Sequence, residues 1–415
     1  MKLEPHLEGL LRDLARQTVA ALTRRYGHFD LAEDAVQEAL LAAATAWTTG
    51  PMPNNPAGWL TTVATRRLTD MLRSEQARRR REQTEAVRFL PPAPGSSEAD
   101  RSTGEQDDSL VLLFLCCHPA LTPPAQVALT LRAVGGLSTA EISRALLLPE
   151  STITRRITRA KQSIVAAGGR FALPEPADRA RRLDVVLHVI YLIFTEGHTA
   201  TAGDALVRGE LCAEAIRLGR LALRLLPDEP EVSGLLAQML LTDARRDTRT
   251  GPDGELIPLA GQDRSRWDRD LIAEGIALVT AALSRHRPGP YQLQAAINAV
   301  HAEAPSYEQT DWPQILALYG VLDRLADDPV VTLNRAVALA QVDGPAAALR
   351  LLETVAADPR LTGHHRLHAV RAHLLHAAGR PEEAAEQYRI AARRTLSTPE
   401  RQYLLRQAAS AEKAR

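Results

Sequence analysis

The sequence predicts an all-α protein: two small helical domains joined by a linker, then a larger helical-repeat domain. Three observations carry this. The chain is rich in alanine and leucine and only 4% aromatic; straight-chain side chains lose little rotamer freedom in a helix, while strands favour β-branched and aromatic residues. Apolar residues recur at three- and four-residue spacing around positions 36–47, 60–72 and 153–164, which places them on one face of a helix. Towards the C-terminus, "LNRAVALAQVDGPAAALRLLETVAADP" (Leu333 to Pro359) resembles "VRAHLLHAAGRPEEAAEQYRIAARR" (Val370 to Arg394). Their Gly344-Pro345 and Gly379/Pro381 turns lie about 35 residues apart, the period of tetratricopeptide-type helix pairs. At 415 residues the chain is too long for one core, and roughly 150 residues per domain gives two or three.

Residues 1–81 read as helices ending in the run Arg78 to Arg81. In "DLAEDAVQEALLAAATAW" (Asp30 to Trp47), Val36, Leu40, Ala43 and Trp47 form the buried stripe. Asp34, Gln37, Glu38 and Leu41 share the exposed face, where acids and amides around an apolar residue suit a protein partner and not DNA. The loop "TTGPMPNNP" (Thr48 to Pro56) follows; its Asn54 and Asn55 are open to two readings, capping the next helix or contacting a base. In the helix from Pro56, Leu60, Ala64, Leu68, Met71 and Leu72 lie on one side. Trp59, Thr62, Arg66, Thr69 and Arg73 lie opposite. A tryptophan on an arginine face packs at a rim or stacks on an unpaired base, and Arg66 and Arg73 beside it favour the base.

Residues 82–109 form a Pro-, Gly-, Ser- and acid-rich linker that buries too little apolar surface to order itself. Its net charge of −5 follows a net +5 over residues 66–81. Residues 110–167 form the second helical block. In it Ser138 caps a short helix with Glu141 three residues on, and Leu148-Pro149-Glu150 makes a turn. On the wheel of Ser151 to Val165, Ile153, Ile157, Ala160 and Ile164 face the core. Ser151, Arg155, Thr158, Arg159 and Gln162 lie opposite, flanked by Thr152 and Thr154. This reads as a helix-turn-helix with Glu150 to Val165 as recognition helix, since an arginine there can bond bidentately to guanine; the alternative is a solvated basic helix face. After the Gly/Pro boundary Ala166 to Arg179, residues 177–415 read as helical throughout, with Asp328-Pro329 and Asp358-Pro359 as helix-to-helix turns.

Together, "FDLAEDAVQEALLAAATAW … NPAGWLTTVATRRLTDMLRSEQARRRRE" resembles region 2 of bacterial sigma factors. "LTPPAQVALTLRAVGGLSTAEISRALLLPESTITRRITRAKQSI" resembles their region 4. With only an acidic linker between them, the chain resembles the extracytoplasmic-function (ECF) class, and the two motifs cover roughly its first 165 residues. The remainder is similar to the tetratricopeptide-like extension of one ECF subgroup, of which "YLIFTEGHTA" (Tyr191 to Ala200) looks typical. The resemblance implies core RNA polymerase as partner, through its β′ clamp helices and β subunit, with Asp34, Gln37, Glu38 and Leu41 at the contact. It implies a flipped minus-10 base held by the loop containing Asn54 and Asn55. Trp59, Arg66, Arg67 and Arg73 would hold the melted strand. Ser151, Thr152, Thr154, Arg155, Thr158 and Arg159 would read the minus-35 duplex, and the linker would lie in the polymerase's RNA path. ECF sequences often carry arginine where Thr154 stands, so no promoter sequence transfers.

Other classes fit less well. Net charge is zero, 50 basic against 50 acidic residues, so a DNA surface must be local. Cys116, Cys117 and Cys212 are too few and badly spaced for a disulfide framework, and adjacent Cys116-Cys117-His118 lacks zinc-site spacing. The longest apolar run, Val185 to Phe194, is about half a membrane span. The expectation is a cytoplasmic promoter-specificity subunit with no membrane segment, no catalytic chemistry, no cofactor and no metal. A protein partner is expected for the C-terminal repeats. The alternative is a helix-turn-helix regulator with a ligand- or protein-sensing repeat domain, which leaves the Asp34/Glu38 face and Trp59 without purpose. An enzyme would have to use Glu196, His198 and Asp204, whose spacing matches no catalytic or metal site.

Overall fold

Proline and acidic caps punctuate this chain, and helices start where they stand. The computed structural model describes residues 5–49, 51–83, 104–146, 148–168, 172–326, 328–361 and 363–413. Among these the regular structure is almost wholly α-helical. The chain divides into two compact units, Met1–Ile190 and Tyr191–Arg415.

The first unit opens with α1 (Pro5–Tyr26), α2 (Phe29–Thr49) and α3 (Pro56–Gln83), which pack on one another. Leu14, Ala15 and Val19 of α1 are buried with Ala32, Ala35, Val36, Ala39 and Ala43 of α2 and Leu60, Ala64 and Leu68 of α3. The alanines of α2 present only methyl groups to its neighbours, so close approach comes from sequence. Residues 84–103, most of the expected linker, lie outside the described residues; α3 runs on to Gln83, and α4 (Gly104–Cys116) begins inside the expected linker span. There follow α5 (Pro123–Ala133), α6 (Thr139–Leu146), α7 (Glu150–Ala166) and α8 (Pro176–His198). The α6 cap forms as its sequence requires: Ser138 N donates to Glu141 Oε2 at 2.6 Å and Glu141 N to Ser138 Oγ at 3.2 Å. Phe114 of α4 is buried, and Arg182 of α8 donates to its carbonyl at 2.7 Å.

The second unit begins with the end of α8 and contains α9 (Gly209–Leu225), α10 (Pro230–Asp243), α11 (Arg269–Leu283), α12 (Pro290–Glu303) and α13 (Trp312–Leu325). It continues through α14 (Pro329–Asp343), α15 (Pro345–Val355), α16 (His365–Ala377), α17 (Pro381–Arg394) and α18 (Thr398–Lys413). Consecutive helices pack as pairs: α14 on α15, and α16 on α17. Gly344 and Gly379 make the turns between them at φ of +82° and +72°, where a side chain would be strained. Asp268, Asp311 and Asp328 cap α11, α13 and α14 with their carboxylates. Gly197, in "TEGHTA", is required by packing: a Cβ there would fall 2.6 Å from the backbone nitrogen of Cys212 on α9. One stretch departs from the expected unbroken helices. Residues 244–268 hold three short 3-10 turns and a Thr250–Leu256 bridge, anchored by Trp267 Nε1 donating to Thr248 Oγ1 at 3.0 Å. Ala202–Gly203 and Leu396–Ser397 add a two-residue parallel pairing.

Candidate nucleic-acid interface

On α7, Ile153, Ile157, Ala160 and Ile164 are buried, which leaves Ser151, Thr154, Arg155, Thr158, Arg159 and Gln162 exposed and Thr152 half-buried. The wheel expected from sequence is therefore the wheel observed. Arg156, absent from that expectation, joins Thr152, Arg155 and Arg159 along one groove beside the start of α5. It sits three residues after buried Ile153, at the border of the apolar stripe, so periodicity alone assigns it to neither face. Thr154 turns its hydroxyl back to Glu150 O at 2.9 Å.

In the first three helices the expected faces are also exposed. Leu41 is 71% accessible, an exposed leucine among Asp34, Glu38 and half-buried Gln37. Arg66, Arg67 and Arg73 are all exposed, but two are paired: Arg67 with Glu38 at 3.5 Å, Arg73 with Asp70 at 3.6 Å. Arg67 thus ties the nucleic-acid candidate set to the docking candidate set. Asn55 takes its capping role, its Oδ1 accepting from Gly58 N at 2.9 Å, while Asn54 is exposed. Trp59 is half-buried, edge-to-face with Trp47 at 5.4 Å between centroids. The C-terminal turn of α2 supplies that contact, which a wheel of α3 alone cannot reveal.

The residue that sequence reasoning passed over is Lys161. All but three of the 50 basic residues are arginines, so a lysine on the recognition helix is itself a signal. Its ammonium is buried and reaches Glu33 Oε2 at 2.5 Å, Asp34 Oδ1 at 2.8 Å and the Asp30 carbonyl at 3.3 Å. Three acceptors in different directions suit a compact ammonium better than a planar guanidinium. Arg132 of α5 donates to the other oxygen of Glu33 at 2.8 Å. Burial alone would push the Glu33 carboxyl up; Lys161 and then Arg132 outweigh it and hold it below its ordinary value. Burial raises Asp34, which shares the same ammonium and lies beside the Glu33 charge. The four residues clasp α2 to α5 and α7. Thr154, Thr158 and Gln162 then line a cleft whose other wall carries Asp30, Glu33 and Asp34.

The remaining candidates form no catalytic or metal cluster among the described residues. Cys116 and Cys117 are fully buried, burial raising both thiols, and Cys117 lies 3.7 Å from Thr130 Oγ1. Glu196 pairs with Arg208 at 2.6 Å, Asp204 accepts from Thr398 at 2.9 Å, and His198 stacks on Phe194. These three do not converge, and the described residues hold no cluster of three or more His, Cys, Asp or Glu able to bind a metal. No helix among them is long and apolar enough to cross a membrane.

Three family models match parts of the chain. Residues 10–78 match Sigma-70 region 2, residues 112–164 match Sigma-70 region 4, and residues 182–283 match a family of unknown function, DUF6596. An uncharacterized protein of Rhizobium meliloti (strain 1021) is 45% identical over 371 residues, 89% of this chain and 87% of that one. No solved structure matches. The chain belongs to the sigma-70 family, with region 2 and region 4 followed by a helical C-terminal extension.

Proposed function

We propose that the protein is a sigma factor of the ECF class, one that carries core RNA polymerase to a specific set of promoters. The observation that bears most weight is the pairing of two exposed faces on one unit. One is acidic and apolar, with Glu38 and Leu41; the other is basic, with Arg155 and Arg159. A DNA regulator needs only the second. Asp34, Gln37, Glu38 and Leu41 dock on polymerase; Asn54, Trp59, Arg66, Arg67 and Arg73 handle the melted minus-10 strand. The exposed residues of α7 read the minus-35 duplex. The C-terminal helix pairs, tetratricopeptide-like in period, regulate the sigma module through a protein contact, as repeat arrays present extended surfaces to partners.

The clasp gives this reading a mechanism. The cleft beside the recognition helix carries three acids, Asp30, Glu33 and Asp34, against two cations, Arg132 and Lys161, so it disfavours DNA phosphates, and Lys161 engages Asp34 in place of polymerase. Docking must open the clasp, exchanging Lys161 for the polymerase partner. The test is co-purification of wild-type and Glu38→Arg proteins with core polymerase. Glu38 is exposed, so the fold survives, and like charge across the interface costs several kcal/mol. Wild type should co-elute with core and the variant should not; equal yields of both would remove the docking assignment.

A further inference from the structure

The second unit encloses a cavity of about 350 Å³ that the sigma reading does not use. Its walls come from the end of α8 and from α10, α12, α13, α14 and α16. The conspicuous groups are cationic. Arg245, just after α10, lies on the wall, and among the described residues its guanidinium makes no hydrogen bond or ion pair. Burial pushes it down to about 10. Arg366 of α16 is an exposed second cation on the same wall, again with no ion pair among the described residues. Arg249 stands behind the wall, donating to the carbonyl of His198 and, at 3.0 Å, to Thr199 Oγ1, and is pushed by burial to about 9. The one described carboxylate on the wall, Asp328, accepts from Val330 N at 2.9 Å as the cap of α14.

A second, independent observation is a set of orphaned polar atoms. Among the described residues, His198 Nδ1, His301 Nδ1 and Gln238 Oε1 are buried without a hydrogen-bond partner, and all three residues line the cavity. Buried polar atoms are almost always satisfied, and buried charge almost always paired. A cationic cavity with several orphaned polar atoms on its wall suits an anion that also carries hydrogen-bonding groups. The volume is that of a small-metabolite site.

We propose that this unit is a receptor for a small anionic metabolite, whose carboxylate or phosphate group seats against Arg245 and Arg366. Its hydroxyl or amino groups meet Asp328, Gln238 and the two histidines. The planar guanidinium forks match either anion. Leu259, His301, Tyr319 and Asn334 are shared with an adjoining hollow of about 390 Å³ lined by Trp312, Tyr388 and Tyr403, so an apolar substituent has room beside the anion.

The test is calorimetric titration of the full-length protein with inorganic phosphate, glucose 6-phosphate and citrate, each against chloride at equal ionic strength. At least one should bind saturably at one per chain, and which probe binds tells phosphate from carboxylate. Loss of a charged hydrogen bond predicts about tenfold weaker binding or more in Arg245→Gln. Arg366→Gln should bind several-fold more weakly, and Arg350→Gln, an exposed residue away from the cavity, should bind as wild type. Should Arg245→Gln unfold, exposed Arg366 decides; loss in Arg245→Gln alone places the anion at the deeper arginine and still supports the site. No binding by any probe overturns the proposal, as does binding that both cavity variants leave unchanged. Neither result touches the sigma assignment, since no transcription is measured.

Discussion

Replacing Lys161 with methionine keeps most of the volume of the side chain and removes its charge, so Lys161→Met addresses the clasp alone. The side chains of Glu33 and Lys161 are only 1% and 8% exposed. Removing one partner of such a buried pair costs about 3–5 kcal/mol when the other charge is left alone; Arg132 still donates to Glu33 at 2.8 Å, so the loss here is about 1.5–3 kcal/mol, that of one charged hydrogen bond. The first unit has a way to avoid that cost: opening α2 from α5 and α7 returns Glu33 to water. That penalty biases the closed-to-open equilibrium, by on the order of 10–10²-fold. Since apparent affinity is the intrinsic affinity scaled by the open fraction, the variant should bind core polymerase more tightly, up to the point where opening is complete. Hydrogen exchange followed by mass spectrometry should show α2 residues 30–39 and α7 newly unprotected. A comparator is Arg181→Gln, whose pair with Asp178 is 75% and 56% exposed and is worth at most about 1 kcal/mol; it should change neither quantity. Unaltered protection in α2 and α7, together with unaltered or weaker core binding, would refute the gating role of the clasp.

Arg155→Ala should cost ~1–3 kcal/mol at the cognate minus-35 site and relax preference at one base pair, read by competition binding of the holoenzyme across single-base variants. If Arg155 only touches phosphate, every sequence weakens alike. Trp59→Ala should reduce permanganate reactivity on duplex promoters, because base stacking is worth ~1–3 kcal/mol; a pre-melted bubble template should restore most activity. Loss of its contact with Trp47 should lower stability by ~0.5–1.5 kcal/mol beyond the area it buries, so permanganate reactivity is compared at a temperature where thermal melting shows the variant folded. In the second unit, burial and then Arg245 and Arg264 lower His301 from 6.5 to about 4. A depressed folded pKa makes its stabilisation fully present above 6.5 and lost as pH falls through about 4. The stability of the second unit should therefore fall by roughly 3 kcal/mol as pH drops across that window. His301→Gln should flatten the dependence, and an unchanged slope would exclude His301 as its source.

What the sequence disclosed was what periodicity and local chemistry encode. The α7 wheel, the Ser138/Glu141 box and the Gly344 and Gly379 turns each depend on neighbours within a few residues, and each stands in the structure where it was expected. The clasp depends on Glu33 meeting residues about 100 and 130 positions away, and no local pattern reports such a distance. Glu33 lies between Ala32 and Asp34, and its sequence neighbours do not set it apart from the other acids of α2. Trp59 was similarly read against its own helix, whereas its partner Trp47 belongs to the preceding one. Arg245 and the cavity escaped notice because their chemistry is assembled from six helices, and residues 244–268 carry no helical period to mark them.

The most direct test is run-off transcription with core polymerase freed of other sigma factors, the purified full-length protein and sheared genomic DNA, with start sites mapped by sequencing the transcripts. The account predicts protein-dependent transcripts that share one pair of elements at minus-35 and minus-10. Absence of any such transcript, with the protein instead binding duplex DNA tightly in the absence of polymerase, would contradict it.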